Sequence, residues 1–271
     1  MTLAAFFMAA PQAASGSMPA PAVSAPADPR PALWVVQDMD TTIFLFGTFH
    51  ALDHNASWFS RSVRAAFDAS DELILETLVP EDPAELHAIL ARHSLVRTPQ
   101  PGQPVYADRG GSSFVASAGQ AMSAGRSMGM SVEQGADAVL RRAANASGKA
   151  VDGLESFDFQ LRMFGSLPAP PTKASRRGDN NVAGMIGNMQ SAWKRGDNGG
   201  FASLLGSMRA QSPVTYRALF VDRNVHWAGW IAERMAKPGT VFVAVGTGHL
   251  VGPDSVQRQL AARGITSARI S

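Results

Sequence analysis

The chain has no cysteine among its 271 residues, which excludes disulfide bonds, thiolate nucleophiles and cysteine-based zinc sites. Histidine and carboxylate side chains therefore remain as ligands for a transition metal. Charged residues are also scarce, at 17%, and the formal net charge is only +2. Because the sequence lacks a Lys/Arg-rich run with interleaved aromatic residues, we expect no nucleic-acid partner. The 45% share of hydrophobic residues is typical of a globular protein.

The first thirty residues differ in composition from the rest of the chain. Residues 3–10 are apolar but too few to span a bilayer, and a Pro/Ala/Ser tract follows them to Pro31. This pattern is typical of a signal peptide leading into a linker, although no basic residue precedes the apolar run. We expect the mature chain to begin within residues 15–28, to be periplasmic or secreted, and to contain no transmembrane segment. The alternative is a disordered Ala/Pro tail on a cytosolic protein.

Strand-like and helical patterns alternate at both ends of the chain. Residues 33–36 and 42–46 predict a hairpin, and residues 214–235 predict one long helix. Further strands are predicted at residues 72–75, 150–154, 241–245 and 267–270. The alternation predicts an α/β fold with a largely parallel central sheet built from both ends of the chain and a helical middle insertion. We expect one domain over residues 31–271.

Two segments nearly repeat one another, TIFLFGTFH at residues 42–50 and VFVAVGTGH at residues 241–249. Each is an apolar run followed by Gly-Thr-x-His, so His50 and His249 are expected just past buried strands and outside the core. Glu76 and Glu155 each follow another predicted strand. Because the carboxyl ends of parallel strands lie at one edge of a sheet, the four side chains are expected to converge. They form a workable ligand set for a divalent ion such as Zn, Mn, Co or Fe, unless each only caps a helix or bonds the backbone.

The predicted helix over residues 214–235 carries Arg223, a cation that could pair with the strand-end carboxylates. Arg223, Trp227 and Trp230 share one face of this helix, and the apolar neighbours on that face indicate that it packs inward. A buried arginine needs a carboxylate or an anionic ligand, and Glu76 and Glu155 are the natural partners. The alternative is a structural salt bridge without a catalytic role.

These residues resemble the TraB/GumN family, which is related to the Tiki metalloproteases. The resemblance covers most of residues 31–271, except for about 173–200. It rests on ALWVV at 32–36, FLFGTFH at 44–50, DELILET at 71–77, GAD at 135–137, GLE at 153–155, DRN at 222–224 and VGTGHLVGPDSV at 245–256. It implies a metal-dependent hydrolase site with His50, Glu76 and His249 as metal ligands. Glu155, Arg223 and Asn224 are implied in support, as catalytic residues.

The leading functional hypothesis is a peptidase-like, metal-dependent hydrolase that acts on a peptide or protein outside the cytoplasm, with Mn, Co or Zn as the ion. The ion would activate a water and polarise the scissile carbonyl. Glu76 or Glu155 is the expected general base, and Arg223 is expected to steady an oxyanion or orient a carboxylate. Two alternatives remain: a metal-independent, esterase-like hydrolase with His50 as base, and a non-catalytic exported factor that binds metal, haem or polysaccharide.

Overall fold

A computed structural model describes residues 30–93, 123–168 and 179–271. The predicted hairpin is present, because β1 (Leu33–Gln37) pairs antiparallel with β2 (Thr41–Thr48). The remaining strands are β3 (Leu52–Asp53), β4 (Glu72–Leu78), β5 (Met130–Ser131), β6 (Ala150–Ser156), β7 (Gly239–Gly246) and β8 (Ala268–Arg269). The predicted signal peptide lies outside the described residues.

Six of these strands form one sheet in the order β6-β4-β7-β2-β1-β8, and β3 and β5 form a separate pair. The pairings of β2 with β7, β7 with β4 and β4 with β6 are parallel. β1 is antiparallel to both β2 and β8. The first long strand of the chain thus lies beside one of the last. The α/β class and a largely parallel sheet built from both chain ends are confirmed.

The helices occupy the connections between these strands. α2 starts as its sequence predicts, since Pro83 is the first helical residue and the Asp82 side chain accepts the Ala84 N–H at 3.0 Å. The α-helices are α1 (Arg61–Asp68), α2 (Pro83–Arg92), α3 (Ala136–Ala146), α4 (Phe157–Ser166), α5 (Asp179–Lys194), α6 (Gly199–Gln211), α7 (Pro213–Tyr216), α8 (Asp222–Arg234) and α9 (Val256–Ala261), and residues 123–127 are also helical.

The single helix predicted over residues 214–235 is interrupted. A π-helical turn, Arg217–Val221, separates α7 from α8. Such a turn accommodates one extra residue in the helical repeat, so faces counted with an uninterrupted period do not carry across it. The turn lies directly before Arg223 and Asn224, the two candidate site residues at the start of α8.

Apolar side chains cover both faces of the sheet. On one face, side chains from α1, α3 and α6 pack around Phe46 and Phe242. On the other face, α8 and α9 pack around Ile43 and Val243. The sheet is therefore the middle layer of three, which explains why its central strands read as continuous apolar runs. Within the described ranges, no helix has the length and hydrophobicity needed to cross a membrane.

The strands that carry the two candidate glutamates are longer than their apolar runs. Glu76 lies inside β4 and Glu155 inside β6, rather than just beyond them as predicted. The parallel pairing of these strands continues to Leu78 opposite Ser156, which holds the last polar residues in extended backbone. Both carboxylates are therefore fixed by the sheet itself.

Candidate functional site

Arg223 lies between the two predicted glutamates and bonds to both. Its Nη2 donates to Oε1 of Glu76 at 2.6 Å and to Oε2 of Glu155 at 2.7 Å. The exposed fractions of the three side chains are 5% for Arg223, 10% for Glu76 and 4% for Glu155. The pairing predicted from the sequence is present, and it is almost fully removed from solvent.

All five N–H groups of the Arg223 guanidinium donate hydrogen bonds. Besides the Nη2 bonds, Nε donates to both oxygens of Glu155, while Nη1 donates to the Leu219 carbonyl at 3.2 Å and to Nε2 of His249 at 3.2 Å. A role for Arg223 in steadying an oxyanion therefore requires that one of these bonds break. In the present arrangement Arg223 orients the carboxylates of Glu76 and Glu155, which is the alternative role expected from the sequence.

Glu76 and Glu155 differ in how many of their carboxylate acceptor sites are left without a hydrogen bond. Both oxygens of Glu155 accept from Arg223, and Oε1 also accepts the Trp227 indole N–H at 3.0 Å. Oε1 of Glu76 accepts from Arg223 and from Nε2 of Gln160, but Oε2 accepts only the Gly246 N–H, at 2.9 Å. Although burial raises it, the Arg223 charge holds the pKa of Glu76 well below its ordinary value, so Glu76 is ionised. Oε2 of Glu76 is the carboxylate oxygen with bonding capacity left.

His249 is buried and held in one tautomer. Its ring packs between Phe220 and Trp227, with ring centroids 4.9 Å and 4.3 Å away. Nδ1 lies 2.6 Å from Oδ1 of Asn224, whose Nδ2 donates to the Asp254 carbonyl at 2.8 Å. Because the amide NH₂ faces that carbonyl, Oδ1 is the acceptor, so the proton of His249 is on Nδ1 and Nε2 carries a lone pair. Burial lowers the pKa of His249 to about 3, which keeps the ring neutral.

His50 approaches the same region from the surface. Its side chain is 59% exposed, and its Nδ1 donates to Oδ2 of Asp137, in the first turn of α3, at 2.8 Å. The Asp137 carboxylate raises the pKa of His50 to about 9. His50 is thus outside the core, as expected, whereas the same expectation for His249 is wrong because its ring is buried against Phe220 and Trp227.

The two Gly-Thr-x-His motifs do not have the same geometry. In the parallel pairing of β2 with β7, Thr48 lies opposite Gly246, so the motifs are displaced by one residue. The second motif also continues into a 3₁₀ turn, Thr247–Leu250. His50 lies in a bend after β2 and His249 lies in the 3₁₀ turn after β7, so two similar motifs deliver one exposed and one buried imidazole.

Gly246 forms the floor of the space that the candidate ligands share. A methyl group added at Gly246 would lie 2.9 Å from Nε2 of His50 and 3.3 Å from Oε2 of Glu76. The same Oε2 is 3.9 Å from Nε2 of His249. Nε2 of each imidazole and the available oxygen of Glu76 therefore face one small region, which exists because residue 246 has no side chain.

The two imidazole nitrogens and the Glu76 oxygen are donor atoms of the kind that bind a divalent ion. Two imidazoles anchored through Nδ1, together with an ionised carboxylate, are a ligand set for a borderline metal, and each imidazole has the kind of hydrogen-bond partner that orients metal-ligating histidines. As arranged here, no three His, Asp or Glu side chains among the described residues form a group that could hold an ion. Binding would require Nε2 of His249 to exchange its contact with Arg223 for the metal.

A cavity of about 960 Å³ adjoins the charged pair of Glu155 and Arg223. It lies between α4 and the helical segment formed by the π turn and α8. Apolar contributions to its lining come from Leu154, Phe159, Met163 and Ala218, and Arg162, Asp222 and His226 provide polar groups. A cavity of this size beside a charged centre is typical of a site for an organic ligand.

The sequence interpretation missed three side chains that organise the site. Asp137 holds His50, Gln160 from α4 bonds Glu76, and the Trp227 indole bonds Glu155. Asp137 lies in the GAD segment at residues 135–137, whose only signal in the sequence is its part in the family resemblance. The other two carry no local signal, because a glutamine in an amphipathic helix and a tryptophan on an inward face are ordinary.

Comparison with known families agrees with the motifs. The model of the TraB/PrgY/gumN family matches residues 32–109 and 107–269, which include all six predicted site residues: His50, Glu76, Glu155, Arg223, Asn224 and His249. No curated protein and no solved structure matches the chain. The family match extends over the whole described sheet. The chain belongs to the TraB/PrgY/gumN family.

Proposed function

We propose that the protein is a metal-dependent hydrolase, with Nε2 of His50, Nε2 of His249 and Oε2 of Glu76 as the ligands of one divalent ion. The observation that supports the proposal is the region above Gly246, towards which Nε2 of His50 and Oε2 of Glu76 are both directed. An ion bound there would supply Lewis acidity and a water of lowered pKa. Mn, Co and Zn are the candidate ions.

The chain's own residues prepare this site in three ways. Arg223 keeps Glu76 ionised, and its single positive charge pairs with both buried carboxylates. Asn224 keeps the lone pair of His249 on Nε2. Nε2 of Gln160 donates to Oε1 of Glu76 and the Gly246 N–H donates to Oε2, so each oxygen of the carboxylate is held by its own donor.

The proposed substrate is a peptide or protein. The cavity beside Glu155 and Arg223 has apolar walls at Phe159 and Met163, which suit an apolar side chain next to the reacting bond. We also propose that the protein acts in the periplasm or is secreted, based on the apolar and Pro/Ala-rich composition of residues 1–30. N-terminal sequencing of protein from the culture medium or periplasm tests export, and an intact Met1 on cytoplasmic protein would contradict it.

A metal-independent hydrolase is the second candidate, and one contact favours it. The 2.8 Å bond between His50 and Asp137 resembles the histidine–carboxylate pair of a general base, and Arg223 satisfies His249 without an ion. In this case Nε2 of the neutral His50 ring would accept the proton of a water or of a substrate hydroxyl, which at a pKa of about 9 requires alkaline pH.

One experiment separates the two candidates. Protein purified without a His-tag is treated with a chelator, dialysed, and assayed on a peptide library and on p-nitrophenyl esters before and after addition of Mn²⁺, Co²⁺ or Zn²⁺. The metal-dependent proposal requires activity that the chelator removes and an added ion restores. Ester hydrolysis that persists in chelator and disappears in His50→Ala supports the second candidate. Absence of turnover with every ion contradicts both.

A further inference from the structure

The start of α3 is fitted closely against the loop that carries His50. The Ala136 N–H donates to the Phe49 carbonyl at 3.0 Å. Gly135 allows this approach, because a Cβ at that position would collide with the carbonyl oxygen of His50. The backbone of α3 is thereby fixed relative to the end of β2, and the side chain of Asp137 is delivered from a rigid element.

Asp137 uses its two oxygens for two different residues of that strand end. Oδ1 accepts the Thr48 hydroxyl at 2.8 Å, and Oδ2 accepts Nδ1–H of His50 at 2.8 Å. The Thr48 residue is buried, at 2% exposure. Two bonds from one carboxylate fix its plane, so the direction in which Oδ2 accepts is determined even though the His50 ring is largely in solvent.

An ionised carboxylate can only accept hydrogen bonds, so the nitrogen that faces it must carry a proton. We propose that Asp137 is a positioning residue, which holds neutral His50 in the Nδ1–H tautomer and directs the lone pair of Nε2 to the space above Gly246. Asn224, oriented by the Asp254 carbonyl, acts in the same way on His249. The inference rests on the proposed function of this site, but its first test does not require metal or turnover.

That first test is the tautomer of His50 in chelator-treated protein labelled with [¹⁵N]histidine. The chain has six histidines, and the His50 signals are assigned by their disappearance in His50→Ala. At a pH where the ring is neutral, we expect the ¹⁵N shifts to show the proton on Nδ1 in the parent. In Asp137→Ala they should show mainly the Nε2–H form that a free imidazole prefers. Asp158→Ala is the matched control, because Asp158 bonds Nε2 of His93 at 3.1 Å and should leave His50 unchanged.

The second test is the affinity for Zn²⁺, measured by calorimetry on the same variants. Loss of a partner that orients a metal-ligating histidine weakens binding by about 10- to 100-fold. We expect this loss in Asp137→Ala, a smaller one in Thr48→Val, and none in Asp158→Ala. If Asp137→Ala does not fold, Asp137→Leu, which is close to aspartate in shape and cannot accept a hydrogen bond, replaces it in both tests with the same expected losses.

The outcomes distinguish the inference from the function on which it rests. A parent that shows Nδ1–H and loses it in Asp137→Ala supports the positioning role, even if the parent binds no Zn²⁺, in which case the metal proposal fails alone. A parent with the proton on Nε2, or an Asp137→Ala variant with an unchanged tautomer, overturns the inference whatever the metal affinity is.

Discussion

Nη2 of Arg223 and Oε1 of Glu76 are 2.6 Å apart, and this bond leaves the other oxygen of Glu76 directed at the space above Gly246. A single cation thus pairs with the carboxylate without blocking the atom that faces the two imidazoles. The same cation also pairs with Glu155, so one positive charge is shared by two carboxylates, and Glu155 has no bonding capacity left. Arg223 is therefore the organising charge of the site, and Glu76 is the carboxylate that can contact a ligand.

The first prediction concerns the stability that depends on Arg223. Arg223→Met leaves two buried carboxylates without their cation, so we expect the free energy of unfolding to fall by about 3–5 kcal/mol. Arg234→Met is the matched control on the same helix, since Arg234 pairs with the more exposed Glu72 at 2.9 Å and should cost about 1 kcal/mol. Urea denaturation measures both.

A rescue variant makes the cause of that loss specific. Adding Glu76→Gln and Glu155→Gln to Arg223→Met removes the uncompensated charges and should restore part of the lost stability. Equal costs for Arg223→Met and Arg234→Met would show that the buried carboxylates do not depend on this cation.

The second prediction concerns the missing side chain at Gly246. Its backbone angles, φ −50° and ψ 134°, are open to any residue, so Gly246→Ala should fold normally. Its new methyl would lie 2.9 Å from Nε2 of His50, and we expect the affinity for a divalent ion to fall by on the order of 10- to 100-fold. Calorimetric titration with Zn²⁺ provides the measurement.

Gly229→Ala provides the control for that substitution. Gly229 lies in α8 with no atom within 4 Å of an added Cβ, so this variant should gain about 1 kcal/mol of stability and leave ion binding unchanged. If Gly246→Ala binds Zn²⁺ as tightly as Gly229→Ala does, the ion does not occupy the space above residue 246.

Much of this arrangement is predictable from sequence. Continuous apolar runs predict β2, β4 and β7, and their parallel order brings Glu76 and the two histidine motifs to one edge of the sheet. An inward-facing Arg223 predicts its own carboxylate partners, because an unpaired buried cation is too costly. These inferences succeed because each depends on one element and one general rule about parallel sheets or burial.

The remaining features depend on how different elements meet. The one-residue displacement that places Thr48 opposite Gly246 is a property of strand pairing, and no pattern within either strand encodes it. The bond from Asp137 to His50 joins residues 87 positions apart through the packing of α3. The π turn at Arg217–Val221 interrupts a helix whose apolar periodicity appeared continuous.

The third prediction concerns the pH dependence of the His50–Asp137 pair in metal-free protein. The pKa of His50 is raised from 6.5 to about 9, so the stabilisation is fully present below pH 6.5 and is lost as the pH rises through 9. Because the ring is largely exposed, we expect a contribution of less than about 1 kcal/mol. The stability difference between the parent and Asp137→Asn should therefore shrink from pH 6 to pH 10.

Urea denaturation at pH 6, 8 and 10 in the presence of a chelator measures this difference. Loss of the bond from Thr48 to Asp137 adds a part that does not vary with pH, so only the change across the series is informative. A difference that stays constant from pH 6 to pH 10 would mean that the Asp137 charge does not act on His50.

The fourth prediction is that His50 and His249 hold one ion. The direct measurement is calorimetric titration of the untagged, chelator-treated parent, His50→Ala, His249→Ala and the double variant with Zn²⁺, Mn²⁺ and Co²⁺. His249→Ala removes a buried ring that packs against Phe220 and Trp227, so its melting temperature should fall. The titrations are run where circular dichroism shows every variant folded. We predict that either single substitution abolishes binding and that the double variant adds little, because ligands of one ion act as a unit. Parent-like affinity for all three ions in both single variants would contradict the metal site.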